Sequence, residues 1–178
     1  MCSFVIVPVA ATIGTALLLA VLLYFLALLV TNQAVFVPLP SKTIEEMLKM
    51  ANAGPDDVLF DLGSGDGRVV IAAAKKYGIR AVGIEKSKIL AWLSKRAVMR
   101  NGVQDKVCIV NADFFRQDFS QATIVTTYLS RKMNRLLEPK LRSELRGGTR
   151  VVSADHTFKF PERARAKTGC FWTHLYII

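Results

Sequence analysis

A chain of 178 residues leaves room for one domain and little beyond it. Its 24 basic and 14 acidic side chains all follow Ser41, so Met1–Ser41 carries no charge and the remainder holds the whole net charge of +10. Three scattered cysteines and two distant histidines, His156 and His174, argue against a disulfide scaffold and against a structural zinc site; no metal is expected.

The uncharged head divides from the rest at about residue 33. Ile13–Val30 reads IGTALLLAVLLYFLALLV, with leucines on every side of a helix rather than along one stripe. About 20 such residues at ~1.5 Å each cross a hydrocarbon layer of ~30 Å, so the head is expected to be one transmembrane helix over 1–33. A cleaved secretory signal needs a basic start and a small-residue cleavage site, and Thr31-Asn-Gln-Ala34 is a poor one. The basic residues from Lys42 onward place the following domain on the cytoplasmic or mitochondrial matrix side.

Residues 34–57 form a hinge and a helix. Pro38 and Pro40 enforce an extended segment, Ser41 is expected to cap a helix over 42–51, and Ala53–Asp57 is a turn. From 58 to 178, strands and helices alternate. Strand 58–61 leads through a glycine-rich loop to helix 68–77; strand 81–84 is followed by helix 87–100, and strand 107–110 by strand 123–128. Helix 132–145, strand 149–153 and an antiparallel pair at 163–167 and 171–178 complete the chain. Cys108 lies in an apolar run and is expected to be buried. The predicted fold is α/β: a Rossmann-like, doubly wound, mostly parallel sheet with an antiparallel closing pair.

The chemistry concentrates at three strand ends. Asp61-Leu-Gly63-Ser64-Gly65-Asp66-Gly67 follows the first strand and opens a helix, where glycines let backbone approach a ligand. The spacing is GxGxG, not the GxGxxG of dinucleotide folds, and Asp61 sits immediately before the turn. A carboxylate there suits a cationic amino-acid end better than a pyrophosphate, which favours S-adenosylmethionine (SAM) over NAD. Glu85 ends the second strand, where it can accept from both ribose hydroxyls. Asp113 follows the third and can accept from an adenine amino group, with Phe114 covering the ring.

These residues resemble a class I, seven-β-strand methyltransferase. More narrowly, FVPLP (36–40), DLGSGDGRVVIAAAKKYG (61–78), AVGIE (81–85), NADFF (111–115), ATIVTTYL (122–129) and GTRVVS (148–153) resemble a protein lysine methyltransferase group. That group comprises crenarchaeal broad-specificity enzymes and mitochondrial enzymes acting on the ATP synthase c-subunit and the adenine nucleotide translocase. The resemblance implies that Asp61, Gly63, Gly65, Glu85 and Asp113 bind SAM, and Ser64, Gly67 and Phe114 complete the expected cofactor-binding set. It also implies that the VPLP segment lies across the cofactor mouth and that Tyr128 lines the target-lysine channel. The chain departs from the group after the fifth strand, where Ser153-Ala154-Asp155 stands in place of Ser-His-acidic and His156 is displaced.

The implied partners are a protein lysine side chain and, through the head, a membrane. A lipid or quinone methyltransferase would suit the anchor equally, and a SAM-binding protein without catalysis is the remaining alternative. No (N/D)PP(Y/F) sequence follows the fourth strand, which argues against exocyclic-amine nucleic-acid chemistry. Lys75, Lys76, Lys86, Lys88, Lys95, Arg96 and Arg100 read as solvated helix faces without interleaved stacking aromatics, so no nucleic acid is expected.

Overall fold

The computed structural model describes residues 9–31 and 36–178, and in the first of these stretches the side chains of 12–24 and 26. Asn32–Ala34 of the candidate cleavage segment lie outside the described residues. The chain divides into two compact units, Met1–Val37 and Pro38–Ile178.

In the first unit, helix α1 (Val9–Thr31) is 23 residues long and has no charged residue in its terminal turns. Its described large apolar side chains are exposed, from Val21 at 49% to Leu18 at 73%, around the whole circumference. Among the described residues no helix is long and apolar enough to cross a membrane.

In the second unit, α2 (Ser41–Met50) begins one residue earlier than expected, so Ser41 is its first residue rather than its cap. The residue before it is Pro40, held extended, and its carbonyl accepts from the N–H of Thr43 (3.0 Å) and Ile44 (3.2 Å). The prolines thus fix the chain's entry into the helix, leaving no position for a side-chain cap. β1 (Val58–Leu62), α3 (Arg68–Tyr77), β2 (Arg80–Glu85), α4 (Lys88–Arg100) and β3 (Val107–Asn111) follow in order. A single 3₁₀ turn at Phe114–Arg116 precedes β4 (Ile124–Thr127), α5 (Arg131–Glu144), β5 (Arg150–Ala154) and the hairpin β6 (Glu162–Thr168) and β7 (Phe171–Ile177).

The seven strands form one sheet in the order β3-β2-β1-β4-β5-β7-β6. β1 to β5 are parallel, while β7 runs antiparallel to both β5 and β6, inserted between them. Helices cover both faces, as a parallel sheet requires. One core joins Ile44, Met47 and Leu48 of α2, Val70 of α3 and Ala91 of α4 to Leu59, Ile124 and Val152. The other packs Leu137 and Leu141 of α5, with Phe119, onto Leu62, Val125 and Val151.

Cys108 corrects an expectation: it is exposed rather than buried. β3 is an edge strand, and its alternation turns Val107 and Ile109 inward and Cys108 outward.

Candidate active site

The order reversal between β1 and β4, on either side of which the chain crosses over in opposite directions, opens a crevice at the carboxyl ends of the strands. The glycine loop lies there. Gly63, Gly65 and Gly67 all have positive φ (77°, 58° and 81°), the left-handed region that side chains disfavour. Gly67 has a second constraint: a Cβ there would meet the Ser94 Oγ of α4 at 2.1 Å. The loop is stitched to β2, since the N–H groups of Gly63 (2.9 Å) and Ser64 (3.0 Å) both donate to the Ile84 carbonyl.

Ser64 turns inward. Its buried side chain lies over Gly83, where an added Cβ would meet Ser64 Oγ at 2.5 Å. What Ser64 can offer a ligand is therefore its backbone.

Glu85 is buried and doubly held: Oε2 accepts from Gly65 N–H at 2.8 Å and Oε1 from Ser87 N–H at 2.7 Å. Each oxygen keeps a lone pair for a further donor. Ser87 in turn caps α4 by accepting from Leu90 N–H. One carboxylate thus joins the glycine loop to the start of the next helix. Asn111 fixes the neighbouring strand end, its amide donating to the carbonyls of Glu85 (2.8 Å) and Lys86 (3.1 Å).

Asp61 is buried at the end of β1, and its Oδ1 accepts from Thr126 Oγ1 of β4 at 2.8 Å. Burial pushes its carboxyl up to about 6; Thr126 and the neighbouring Ser64 hydroxyl pull against that rise, and the Glu85 and Asp66 charges add to it. A buried carboxyl flanked by two more acids favours a cationic ligand group.

Asp113 accepts from Phe115 N–H at 3.1 Å and pairs with Lys86 at 3.1 Å. Burial acts to raise this carboxyl, but the Phe115 N–H and the Lys86 ammonium outweigh it and hold Asp113 below the usual aspartate value. Phe114 does not stand beside it as a free ring. It is buried in the core with Leu62, Ile84 and Phe119, and Phe115 packs against it at 4.7 Å.

Sequence reasoning missed two residues that shape this end of the sheet. Thr126, the first of two adjacent threonines, holds Asp61 from across the strand pair. Arg68 donates to both Asp66 oxygens and, through Nη1, to the Leu39 carbonyl at 2.8 Å. It thereby ties the VPLP segment to the glycine loop. Burial acts to raise Asp66, and the guanidinium overrides it, so Asp66 stays ionised below its ordinary range.

The segment expected to line the acceptor channel lies beyond β4. Tyr128 is half-buried, its ring edge-on to Phe171 at 6.0 Å, and burial with the nearby Asp155 charge raises its phenol. The next residue, Leu129, reaches to within 3.0 Å of where a Gly63 Cβ would stand, so this segment abuts the glycine loop. Asp155 adopts φ 58°, exchanging hydrogen bonds with the Trp172 backbone. Around it, Thr127 Oγ1, Asn134 Oδ1 and His156 Nδ1 are buried without a hydrogen-bond partner in the protein.

Residues 61–167 match the ANTKMT methyltransferase domain. The chain belongs to that methyltransferase family. A protein-lysine N-methyltransferase of Saccharolobus islandicus is 42% identical over 125 residues, 70% of this chain and 76% of that one. The human ATP synthase C-subunit lysine N-methyltransferase is 40% identical over 126 residues, and the aligned region spans about half (52%) of its length. A solved structure from Salinibacter ruber, described as an RNA methyltransferase in complex with S-adenosyl-L-homocysteine, superimposes with TM-score 0.78 at 38% identity. It covers 80% of this chain and 94% of that one. Membership makes this chain a SAM-dependent methyltransferase of the protein-lysine family.

Proposed function

We propose that this chain methylates lysine side chains of membrane or membrane-adjacent proteins, tethered by α1 with its catalytic unit on the cytoplasmic or matrix side. Kinship to two lysine methyltransferases of different organisms supports the acceptor, and the buried, doubly anchored Glu85 is the observation that carries the cofactor site. Support for the tether comes from the sequence of the whole of residues 9–31, which contains no charge, and from the basic excess that starts at Lys42.

The residues present fit SAM. Asp61, pushed up by burial, gains from a neighbouring ammonium; Glu85 retains acceptor capacity for ribose hydroxyls, and Asp113 for an adenine amine. The backbone of Gly63, Ser64, Gly65 and Gly67 would line the amino-acid end, with Phe114 a core wall behind the base. SAM supplies a methyl group already activated on a sulfonium. The protein's task is to align an amine with it and to exclude water. A lysine must arrive neutral, and an apolar channel favours loss of its proton to solvent. Tyr128, with Phe171 behind it, orients that amine.

RNA as the acceptor is the competing reading, motivated by the Salinibacter description and opposed by the sequence expectation of no nucleic acid. Full-length chain in native membranes with methyl-labelled SAM separates the readings. Label on lysine, located by mass spectrometry and reduced roughly tenfold or more by Tyr128→Phe, is the expected outcome. Label confined to RNA or extractable lipid would overturn it.

A further inference from the structure

We propose that the outer face of α4 is a docking surface for anionic lipid headgroups. The helix is built inside out. The residues it buries fully are small, Ala91, Ser94 and Val98, and Leu90 is half-buried, while its other large apolar residues face away from the sheet: Ile89 is 72% exposed, Met99 61%, Trp92 51% and Leu93 38%. An ordinary surface helix shows the reverse. These four recur at helical spacing along one stripe, and Trp92, Leu93 and Met99 line a shared shallow depression with Arg96 and Arg100. The Arg96 guanidinium lies over the Trp92 ring at 4.2 Å.

Charge selects the occupant. Lys88, Lys95, Arg96 and Arg100 stand on or beside the stripe, with no acidic residue from Lys86 to Arg100. Among the described residues none of these four has a carboxylate partner. A second copy meeting the first face to face would oppose arginine to arginine. An anionic membrane surface meets both demands: indole and aliphatic groups enter the interfacial zone while guanidinium and ammonium groups reach phosphates. Docked this way, the catalytic unit would be held against the bilayer by its own surface. The proposal does not rest on α1 spanning a membrane.

The chain has two tryptophans, so full-length Trp172→Phe leaves Trp92 as the sole indole, and α1 contributes none. This protein is mixed with vesicles of phosphatidylcholine alone or with phosphatidylglycerol, each doped with brominated acyl chains. Flotation reports attachment, and quenching reports whether Trp92 enters the interface. Docking predicts roughly twofold quenching on the anionic vesicles. It also predicts that Arg96→Glu with Arg100→Glu weakens the quenching titration roughly tenfold or more, with S-adenosylhomocysteine affinity unchanged as the check on folding. A chain that floats with both vesicles while Trp92 stays unquenched overturns docking and leaves the α1 tether standing. Quenching on anionic vesicles without flotation on neutral ones supports docking and overturns the tether. An arginine-dependent dimer in detergent, with Trp92 dark to the bromines, would assign the face to a second copy instead.

Discussion

The two halves of the crevice are built on opposite terms. At the ends of β1 to β3, every acid is held: Asp61 by Thr126, Glu85 by two backbone N–H groups, and Asp113 by Phe115 and Lys86. Beyond β4 and β5, polar atoms of Thr127, Asn134 and His156 are buried with nothing in the protein to meet them. The glycine-loop half is not free of such atoms, since Ser64 Oγ and Ser94 Oγ are buried without a partner too, but all three of its strand-end carboxylates are held. On the proposed function, the unpartnered atoms beyond β4 and β5 are hydrogen-bonding capacity kept in reserve for the acceptor, at a cost to stability.

Glu85 carries the largest expected effect in the glycine-loop half. Glu85→Ala removes the proposed ribose acceptor, so SAM affinity should fall about 100-fold or more in calorimetry, while the two N–H groups it strands cost ~1–3 kcal/mol each in stability. If affinity survives, the cofactor half is wrongly placed. Next is Gly67→Ala, which adds a Cβ clashing with Ser94 at a positive φ. We expect a loss of about 2–3 kcal/mol in thermal unfolding, with Ser94→Gly restoring the steric share but not the ~1 kcal/mol of backbone strain.

The Asp61 carboxyl sharpens the contrast through pH. Its folded value of about 6 lies above the ordinary 3.8, so the folded state binds the extra proton between those values. Stability from this group is therefore present below about pH 4 and is lost as pH rises through 6. Binding of a cationic amino-acid end runs the other way: affinity for SAM should climb by up to about tenfold per pH unit below 6 and then level off. Asp61→Asn should flatten the profile in the same titration. The smallest effect belongs to the acceptor half. Thr127→Val replaces an unpartnered buried hydroxyl by its isostere, and should raise stability by about 1 kcal/mol while leaving SAM affinity within twofold. A loss of stability would mean that the hydroxyl is satisfied after all.

The strands and helices were legible from alternation and glycine punctuation, to within a residue or two at their ends, because a sheet covered on both faces writes continuous apolar runs. The three acids were legible because the strand ends that carry them are local in sequence. What escaped depends on side-chain direction and on distant pairing. Ser64 and Phe114 sit among the residues proposed to face the cofactor yet turn inward, one over Gly83 and the other into the α5-side core. Cys108 sits in an apolar run on a strand whose edge position nothing local reveals. Arg68 reaches back to a carbonyl at residue 39, and no spacing rule foretells that. The basic residues of α4 read as a solvated face because its buried side is made of residues too small to draw notice.

The insertion of β7 between β5 and β6 bears on how the molecule is made. As the chain emerges during synthesis, β1 to β5 can assemble while one flank of β5, a row of unpaired backbone N–H and C=O groups, still waits for Phe171–Ile177. Until those residues arrive, the nascent sheet presents a sticky open border to every neighbouring polypeptide. The interval between the two is a window in which a chaperone would matter most to the yield of this protein.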